Sequence, residues 1–195
     1  MHPNKAFRFA DDAAMHAFVE RYAFAHLFVV TLEGPMVAHV PLTAARKGTY
    51  RFHLARHNRV AAHLDGATVV ASVAGPDGYI SPDWYADQRD QVPTWNYAAV
   101  EINGTTHALT EADLVEQIDA LSHVHEGRLA PKPEWTRDKV AAHKLAAMYR
   151  AIQCFELRPT ALRGTRKHNQ NKSDTDRACV RTALGDTPLA HAMSA

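Results

Sequence analysis

The first third of the chain alternates between short apolar segments and tight turns, and this pattern constrains the fold more than any other feature. "HLFVVTL" at 26–32 is apolar and rich in β-branched residues, "EGP" at 33–35 is a turn, and "MVAHVPL" at 36–42 is apolar again. A further turn, "RKGT" at 46–49, leads into "YRFHLA" at 50–55. Strands joined by turns this short pair with antiparallel neighbours. The pattern therefore predicts an antiparallel meander.

Later segments extend this sheet. "ATVVASVAG" at 67–75 is too short and too rich in valine for a helix, so it is predicted to be a central strand. "TWNYAAVEINGTTHAL" at 94–109 contains Asn103-Gly104, a strong hairpin signal, and is predicted to form two strands joined there. "QCFELRPTALRGTRKH" at 153–168 adds one or two more strands. We expect about six to eight strands in total.

Helix-start signals separate these strands. Thr110 with Asp113 forms a capping box that opens a helix over 110–126, and a second helix is predicted over 137–151. Ser173 with Asp176 opens the last helix, 174–184.

Two shorter helices and a tail complete the prediction. One helix follows Asp11 and Asp12, and another follows Asn58 in "HNRVAAHL". Residues 186–195 are expected to be a frayed tail. The predicted class is α+β: one domain over 1–185, built as a small, mostly antiparallel β-barrel with peripheral helices.

Composition excludes several classes of protein. Hydrophobic residues make up 46% and charged residues 22% of the 195 residues, as in soluble globular proteins. The formal net charge is +1, which gives the whole molecule no long-range preference for nucleic acid or for membranes. No stretch approaches the ~20 apolar residues of a membrane span, and no signal-peptide pattern opens the chain. With only two cysteines, a reducing cytoplasm is the expected location.

Positive charge is concentrated near the C-terminus. Residues 158–181 contain seven bases and two acids, a local charge of +5, and include "RKHNQNKSDTDR" at 166–177. This stretch suits a nucleic-acid grip, an anion site or a solvated surface. Its acids lie at the predicted helix start, where they complement the free N–H groups and repel phosphate. The hydrogen-bond donors lie just upstream.

Familiar catalytic motifs are missing. Thirteen histidines show neither His-Glu-x-x-His nor a Cys-x-x-Cys partner pattern, so structural or surface roles are favoured over metal binding. There is no Gly-x-Ser-x-Gly nucleophile elbow, and Cys154 on a predicted strand fits a core position. Neither phosphate-binding glycine fingerprint is present.

Four segments combine anion donors or aromatic rings with loops, and the C-terminal stretch 166–177 is one of them. Arg56 precedes a predicted helix start at Asn58, an arrangement that suits a phosphate site or a solvated turn equally well. "GYISPDWY" at 78–85 and "VPTWNY" at 92–97 bring aromatic residues and prolines together. Such loops can wall a flat ligand or simply close a barrel end.

These segments, in this order, resemble the PaiB family of FMN-binding split-barrel proteins, often described as negative transcriptional regulators. The resemblance spans residues 1–184. It rests on "AHVPL", "HLARHN", "HLDG", "GPDGYISPDWY", "VPTWNYAAVEINGT" and "QNKSDTDR". It implies a split β-barrel that forms a homodimer with FMN at the subunit interface.

The resemblance also implies roles for individual residues. A strand-to-helix stretch would hold the FMN phosphate: His53, Leu54, Ala55, Arg56 and Asn58. His39 and Pro41 would lie near the isoalloxazine, and Tyr79, Ser81 and Trp95 would wall the pocket. Four C-terminal donors would approach the cofactor of the same or the other subunit: Lys167, Gln170, Asn171 and Lys172. His168-Asn169 departs from the apolar or small residues expected there.

The sequence leaves other functions open. The alternative to a regulator is a flavin-dependent oxidoreductase that uses FMN and a nicotinamide donor, an inference from fold and cofactor alone. Direct DNA binding through residues 158–181 ranks lower, because no DNA-reading motif is recognisable. Haem in place of FMN is a minor alternative, since no histidine stands out as an axial ligand.

Overall fold

A single antiparallel sheet of seven strands organises the molecule. The structure, a computed structural model, describes residues 2–194. The strands are β1 Phe24–Thr31, β2 Gly34–Pro41, β3 Thr43–Ala44, β4 Tyr50–Ala55, β5 Thr68–Ile80, β6 Thr94–Ala108 and β7 Ile152–Lys167. Their order across the sheet is β2-β1-β5-β6-β7-β4-β3, with every neighbouring pair antiparallel. The predicted α+β class and the predicted antiparallel sheet are confirmed.

Within the described part of the chain, five α-helices surround the sheet: α1 Asp12–Tyr22, α2 Glu111–Gly127, α3 Ala142–Arg150, α4 Asp174–Leu184 and α5 Pro188–Ala192. The capping signals worked as predicted, because they act within one turn of chain. Thr110 and Asp113 form a complete capping box, and the Ser173 hydroxyl accepts a hydrogen bond from the Asp176 amide at 3.1 Å. Within residues 2–194, no helix is both long and apolar enough to cross a lipid bilayer.

The sheet curls into a barrel around one apolar core. β2 and β4 stand far apart in the strand order yet pack against each other, which closes the curl. The core holds Tyr50, Phe52 and Phe155, all fully buried, with alternate residues of the other strands. Helix α1 packs on β5, β6 and β7. The chain therefore has the barrel architecture that the strand pattern predicted, with the split β-barrel form that the resemblance implied.

The predicted hairpin at Asn103-Gly104 is wrong. β6 runs without interruption through these residues, pairing with β5 on one side and β7 on the other. The β6–β7 register shifts between Asn103 and Gly104, which marks a bulge, and a Cβ on Gly104 would lie 2.3 Å from the Arg158 carbonyl oxygen. Gly104 is thus needed for close backbone approach rather than for a turn. Pairing on both edges outweighs the local turn preference.

Two helix predictions need correction. The helix predicted over 137–151 begins at Ala142, because Val140 is extended and separates it from a single 3-10 turn at Arg137–Lys139. The helix predicted after Asn58 is a turn followed by a 3-10 segment, Ala61–His63. The Asn58 side chain accepts from the Val60 amide at 3.0 Å, which favours a turn over a helix.

Residues 186–194 are ordered, in contrast to the frayed tail predicted over 186–195. Thr187 caps α5, and the buried Leu189 and Met193 pack with Ile80 and Tyr85 in a second, small core. Burial of these apolar side chains stabilises a helix too short to form alone. Local composition carried no sign of this long-range packing.

Candidate functional site

Tyr79 and Trp95 form a cross-strand aromatic pair where β5 ends and β6 begins. They are directly opposite in register, with ring centroids 6.4 Å apart in an edge-to-face arrangement. Both are about half exposed, 49% and 52%, and the Trp95 indole N–H donates to Asp77 Oδ1 at 2.8 Å. The two side chains predicted to wall the pocket are therefore accessible to solvent, and the hydrogen bond to Asp77 fixes the orientation of Trp95.

The two predicted lysines lie at the same end of the barrel. Lys167, the last residue of β7, is opposite Tyr97 and donates to the Thr94 hydroxyl; burial lowers the pKa of its ammonium. Lys172 donates to Gln91 Oε1 at 2.6 Å, and its Nζ lies 4.9 Å from the centre of the Tyr85 ring. These contacts tie the C-terminal segment to the loop between β5 and β6.

The other predicted groups at this end differ in their availability. The Gln170 amide is used within its own loop, accepting from the His168 amide at 2.7 Å and donating to the Arg166 carbonyl. Ser81 accepts from the Asp83 amide at 3.3 Å and caps a 3-10 turn. The Asn171 side chain is exposed and has no hydrogen bond within the described residues. Asn171 is thus the free amide of this set.

The predicted phosphate stretch covers the end of β4 and the turn after it, away from these groups. Arg56 Nε donates to the Arg150 carbonyl oxygen at 2.9 Å, which fixes the exposed guanidinium and leaves its two terminal nitrogens without a described partner. Ala55 is exposed, whereas the Leu54 side chain is buried in the core and only its backbone could face a ligand. Asn58 uses its side-chain oxygen in the turn. Arg56 is the principal anion donor here.

His53 is held by a buried amide that the sequence did not reveal. His53 Nδ1 lies 2.9 Å from Gln117 Oε1, and Gln117 Nε2 donates to Thr43 Oγ1 at 3.2 Å. Burial lowers the pKa of His53, more than the Gln117 hydrogen bond raises it. A neutral imidazole is a weak partner for a phosphate, so His53 fits a polar rather than an ionic contact. A polar residue three positions after the buried Leu114, on the core-facing side of α2, was the available signal.

His39 and Pro41 lie on β2, on the outer face of the barrel. His39 is exposed, stacked with Phe24 at 6.5 Å and edge-on to His26 at 4.9 Å. Pro41 is opposite Phe24 in the β1–β2 register. His39 and Pro41 therefore point away from the barrel core.

One chain does not bring the predicted residues together. β4 pairs with Ile152–Leu157 at the start of β7, whereas Lys167 is at the other end of that 16-residue strand. At about 3.3 Å per residue, such a strand extends up to roughly 50 Å. The Arg56 stretch and the Lys167–Lys172 segment are therefore separate groups within the chain.

The side chains fit FMN chemically. A phosphate needs a guanidinium or ammonium donor, which Arg56 and the two lysines supply, and a conjugated ring needs aromatic or flat neighbours. Cys154 is not an activated nucleophile: burial raises the pKa of its thiol to about 12, and the residue lies in the core as expected. No group of three or more His, Cys, Asp or Glu residues within 2–194 could hold a metal.

Residues 1–161 match the model of a family described as a putative FMN-binding domain. The chain belongs to this family. The resemblance to PaiB proteins is confirmed, and FMN is the cofactor of the family. Protease synthase and sporulation protein PAI 2 of Bacillus subtilis is 26% identical over 180 residues, which cover 90% of this chain and 85% of that protein. An uncharacterised protein of Saccharomyces cerevisiae is 29% identical over 55% of this chain and 69% of its own.

Several solved structures share the fold of this chain, and some of them are flavoproteins. A conserved hypothetical protein, Rv2991, from Mycobacterium tuberculosis superposes with a TM-score of 0.61 at 13% identity, covering 87% of this chain and 92% of its own. An FAD and haem binding protein from Mycobacterium smegmatis gives 0.60 at 16%, covering 88% and 78%. The flavocytochrome Anf3 from Azotobacter vinelandii gives 0.60 at 17%, covering 91% and 78%. At these identities the likeness concerns the fold.

Proposed function

We propose that the protein binds FMN as a homodimer, with each site built from both copies. The Arg56 stretch of one copy would hold the phosphate, and the Lys167–Lys172 segment of the other would approach the same cofactor. The observation that carries this proposal is the position of these two groups at opposite ends of β7. A two-fold axis can place such groups side by side without any change within the chain.

An unpartnered apolar face supports a second copy as the occupant. Alternate residues of β1 point outward, and Phe24, Phe28 and Val30 are 55%, 47% and 83% exposed. His39, predicted to lie near the isoalloxazine, is on the same face beside Phe24. Exposed apolar surface of this kind marks interaction sites. A partner on this face would also cover a ring lying against His39.

The chain's own residues would bind and orient the cofactor. Arg56 would donate to the phosphate through its terminal nitrogens while Nε stays with the Arg150 carbonyl. Tyr79 and Trp95 would exclude water from one side of the ring. Bound FMN supplies one- and two-electron redox chemistry.

Mixing two defective variants tests the shared site. Arg56→Ala and Lys167→Met are each expected to lower FMN affinity about ten- to hundredfold, since a hydrogen bond to a charged group contributes roughly 1.5–3 kcal/mol. In a heterodimer of the two, one site carries both changes and the other carries neither. Co-refolding an equal mixture should therefore restore wild-type affinity at about a quarter of all sites, measured by FMN fluorescence quenching.

Arg46→Ala is the matched control. Arg46 is an exposed arginine near the opposite end of β4 from Arg56, and its replacement should leave FMN affinity unchanged. If the mixed sample shows no recovery, each site belongs to a single copy. Unaltered affinity in Arg56→Ala would instead remove the phosphate assignment.

We infer further that the flavoprotein acts in negative regulation of transcription. The support is the resemblance to PaiB proteins and the similarity to the B. subtilis PAI 2 protein, whose name refers to protease synthesis and sporulation. Helices α2 and α3 do not form a helix-turn-helix, because residues 128–141 separate them and such motifs use a turn of about 3–4 residues. A regulatory role without a DNA-reading helix is consistent with this geometry. A gel-shift assay of the purified protein with duplex DNA tests whether this regulatory role involves direct contact with DNA.

A further inference from the structure

The β5–β6 register shifts between Ala74 and Asp77, which marks a bulge in β5. A cleft outside the predicted FMN residues lies between α1, this bulge and α5. Its volume is about 210 Å³, and the residues that matter for its chemistry are Phe9, Phe18, Arg21, Tyr22, Arg166 and His168. Drug-sized ligand pockets start at roughly 300 Å³, so this cleft suits a single-ring compound.

Three aromatic rings form its apolar wall. Phe9 and Phe18 meet edge to face at 5.3 Å, and Phe18 and Tyr22 lie 4.6 Å apart. All three are half-buried, so the wall is packed on one side and open on the other. A flat apolar body can lie against this wall with further edge-to-face contact.

Two guanidinium groups flank the rings and have no carboxylate partner. Arg21 Cζ lies 5.5 Å from the centre of the Tyr22 ring and Arg166 Cζ lies 5.8 Å from that of Phe9. Within residues 2–194 neither arginine forms an ion pair, and no acidic residue lines the cleft. Unpaired guanidiniums beside a flat apolar wall match a carboxylate attached to a ring.

His168 supplies an unsatisfied acceptor in the same cleft. It is 5% exposed, and its Nε2 has no hydrogen-bond partner within the described residues. Burial, with Arg166 and Arg177 nearby, lowers the pKa of its imidazole to about 4, which keeps the ring neutral near pH 7. Buried polar atoms nearly always have partners, so an unpaired nitrogen here points to a missing donor.

The cleft is distinct from the predicted cofactor residues on the same strand. Successive side chains of a strand point to opposite faces, so Arg166 and Lys167 diverge. Arg166 is opposite Ala98, which also lines the cleft, whereas Lys167 is opposite Tyr97 and contacts Thr94. Arg166 and His168 thus line the cleft, whereas Lys167 between them lies on the other face of the strand.

We propose that this cleft binds a small aromatic carboxylate that carries a hydroxyl group. The carboxylate pairs with Arg21 and Arg166, the ring packs on Phe9, Phe18 and Tyr22, and the hydroxyl donates to His168 Nε2. The site goes beyond the proposed FMN function, because its residues are separate from those predicted to hold the cofactor.

Calorimetric titration of 4-hydroxybenzoate into the FMN-saturated full chain tests this site. Binding is expected in the submillimolar range and to be about three- to tenfold weaker for benzoate, which lacks the donor for His168. Phenol, which lacks the carboxylate, should bind at least about tenfold more weakly. Arg21→Met and Arg166→Met should each weaken 4-hydroxybenzoate about ten- to hundredfold. Arg46→Met should leave it unchanged.

The outcomes separate clearly. Arg21 is exposed and its side chain makes no described hydrogen bond, so Arg21→Met should fold normally, as circular dichroism can verify. Absence of binding up to about 10 mM, or equal weakening by Arg46→Met, would overturn the proposal. Binding that occurs only without FMN would also overturn it, because the compound would then occupy the cofactor site. FMN uptake itself is measured independently, so neither result depends on the other.

Discussion

At the scale of single residues, His168 is a buried histidine, and its burial changes how readily the imidazole takes up a proton. The sequence places it in a polar, basic segment typical of exposed surface, yet the fold buries it almost completely. Burial disfavours the charged imidazole, and the neighbouring arginines add to this effect. The folded protein therefore resists protonation of His168 at pH values where the unfolded chain accepts a proton.

This difference predicts a pH-dependent stability. The imidazole pKa is 6.5 in the absence of structure and about 4 in the folded state. As pH falls from 6.5 to 4, the unfolded chain gains a proton that the folded chain does not, so the free energy of unfolding decreases. The loss attributable to His168 is up to about 3 kcal/mol.

Urea unfolding followed by circular dichroism across this pH range measures the effect. His168→Gln removes the titrating group and should flatten the dependence. Some slope should remain because the pKa of His53 is also lowered in the fold. An unchanged slope in the variant would show that His168 takes up its proton normally in the folded protein.

At the scale of elements, strand β6 shows how long-range pairing overrides a local signal. Asn-Gly favours a two-residue hairpin turn, but here both strand edges are already occupied by β5 and β7. The glycine instead permits the Arg158 carbonyl to approach closely at the bulge. Gly104 was therefore a genuine signal in the sequence, but it marks a bulge and not the predicted hairpin turn.

Gly104→Ala is expected to destabilise the fold by about 1–3 kcal/mol, because the added Cβ would meet the Arg158 backbone. Asn103→Ala is the matched control. The Asn103 side chain makes no described hydrogen bond, and its loss should cost no more than about 0.5 kcal/mol. Denaturant midpoints of the two variants and the wild type measure the difference. A larger effect of Asn103→Ala would favour the turn geometry.

At the scale of the whole molecule, the charge of residues 158–181 is dispersed rather than gathered. Arg158 pairs with Glu156 at 2.8 Å and Arg177 with Asp174 at 3.5 Å. Arg166 faces the α1–α5 cleft while Lys167 faces the other side of β7. A positive sequence segment therefore does not form a continuous positive stripe along one face.

This dispersal predicts weak, non-specific contact with DNA. Retardation of duplex DNA should be visible near 50 mM salt and be lost near 200 mM, since binding through phosphates alone weakens steeply with salt. It should be similar for unrelated sequences. Sequence-preferring binding that persists at physiological salt would contradict this expectation and place direct DNA recognition within the proposed regulatory role.

The sequence by itself determined the antiparallel sheet, the barrel class, the family and the helix caps at Thr110 and Ser173. These depend on periodicity or on contacts within one turn, and the family depends on motifs that lie in order along the chain. Tertiary structure decided the continuity of β6, the burial of His168 and α5, and the separation of Arg56 from Lys167. Each of these depends on which strands and helices meet across the barrel, and such pairing joins residues far apart in sequence.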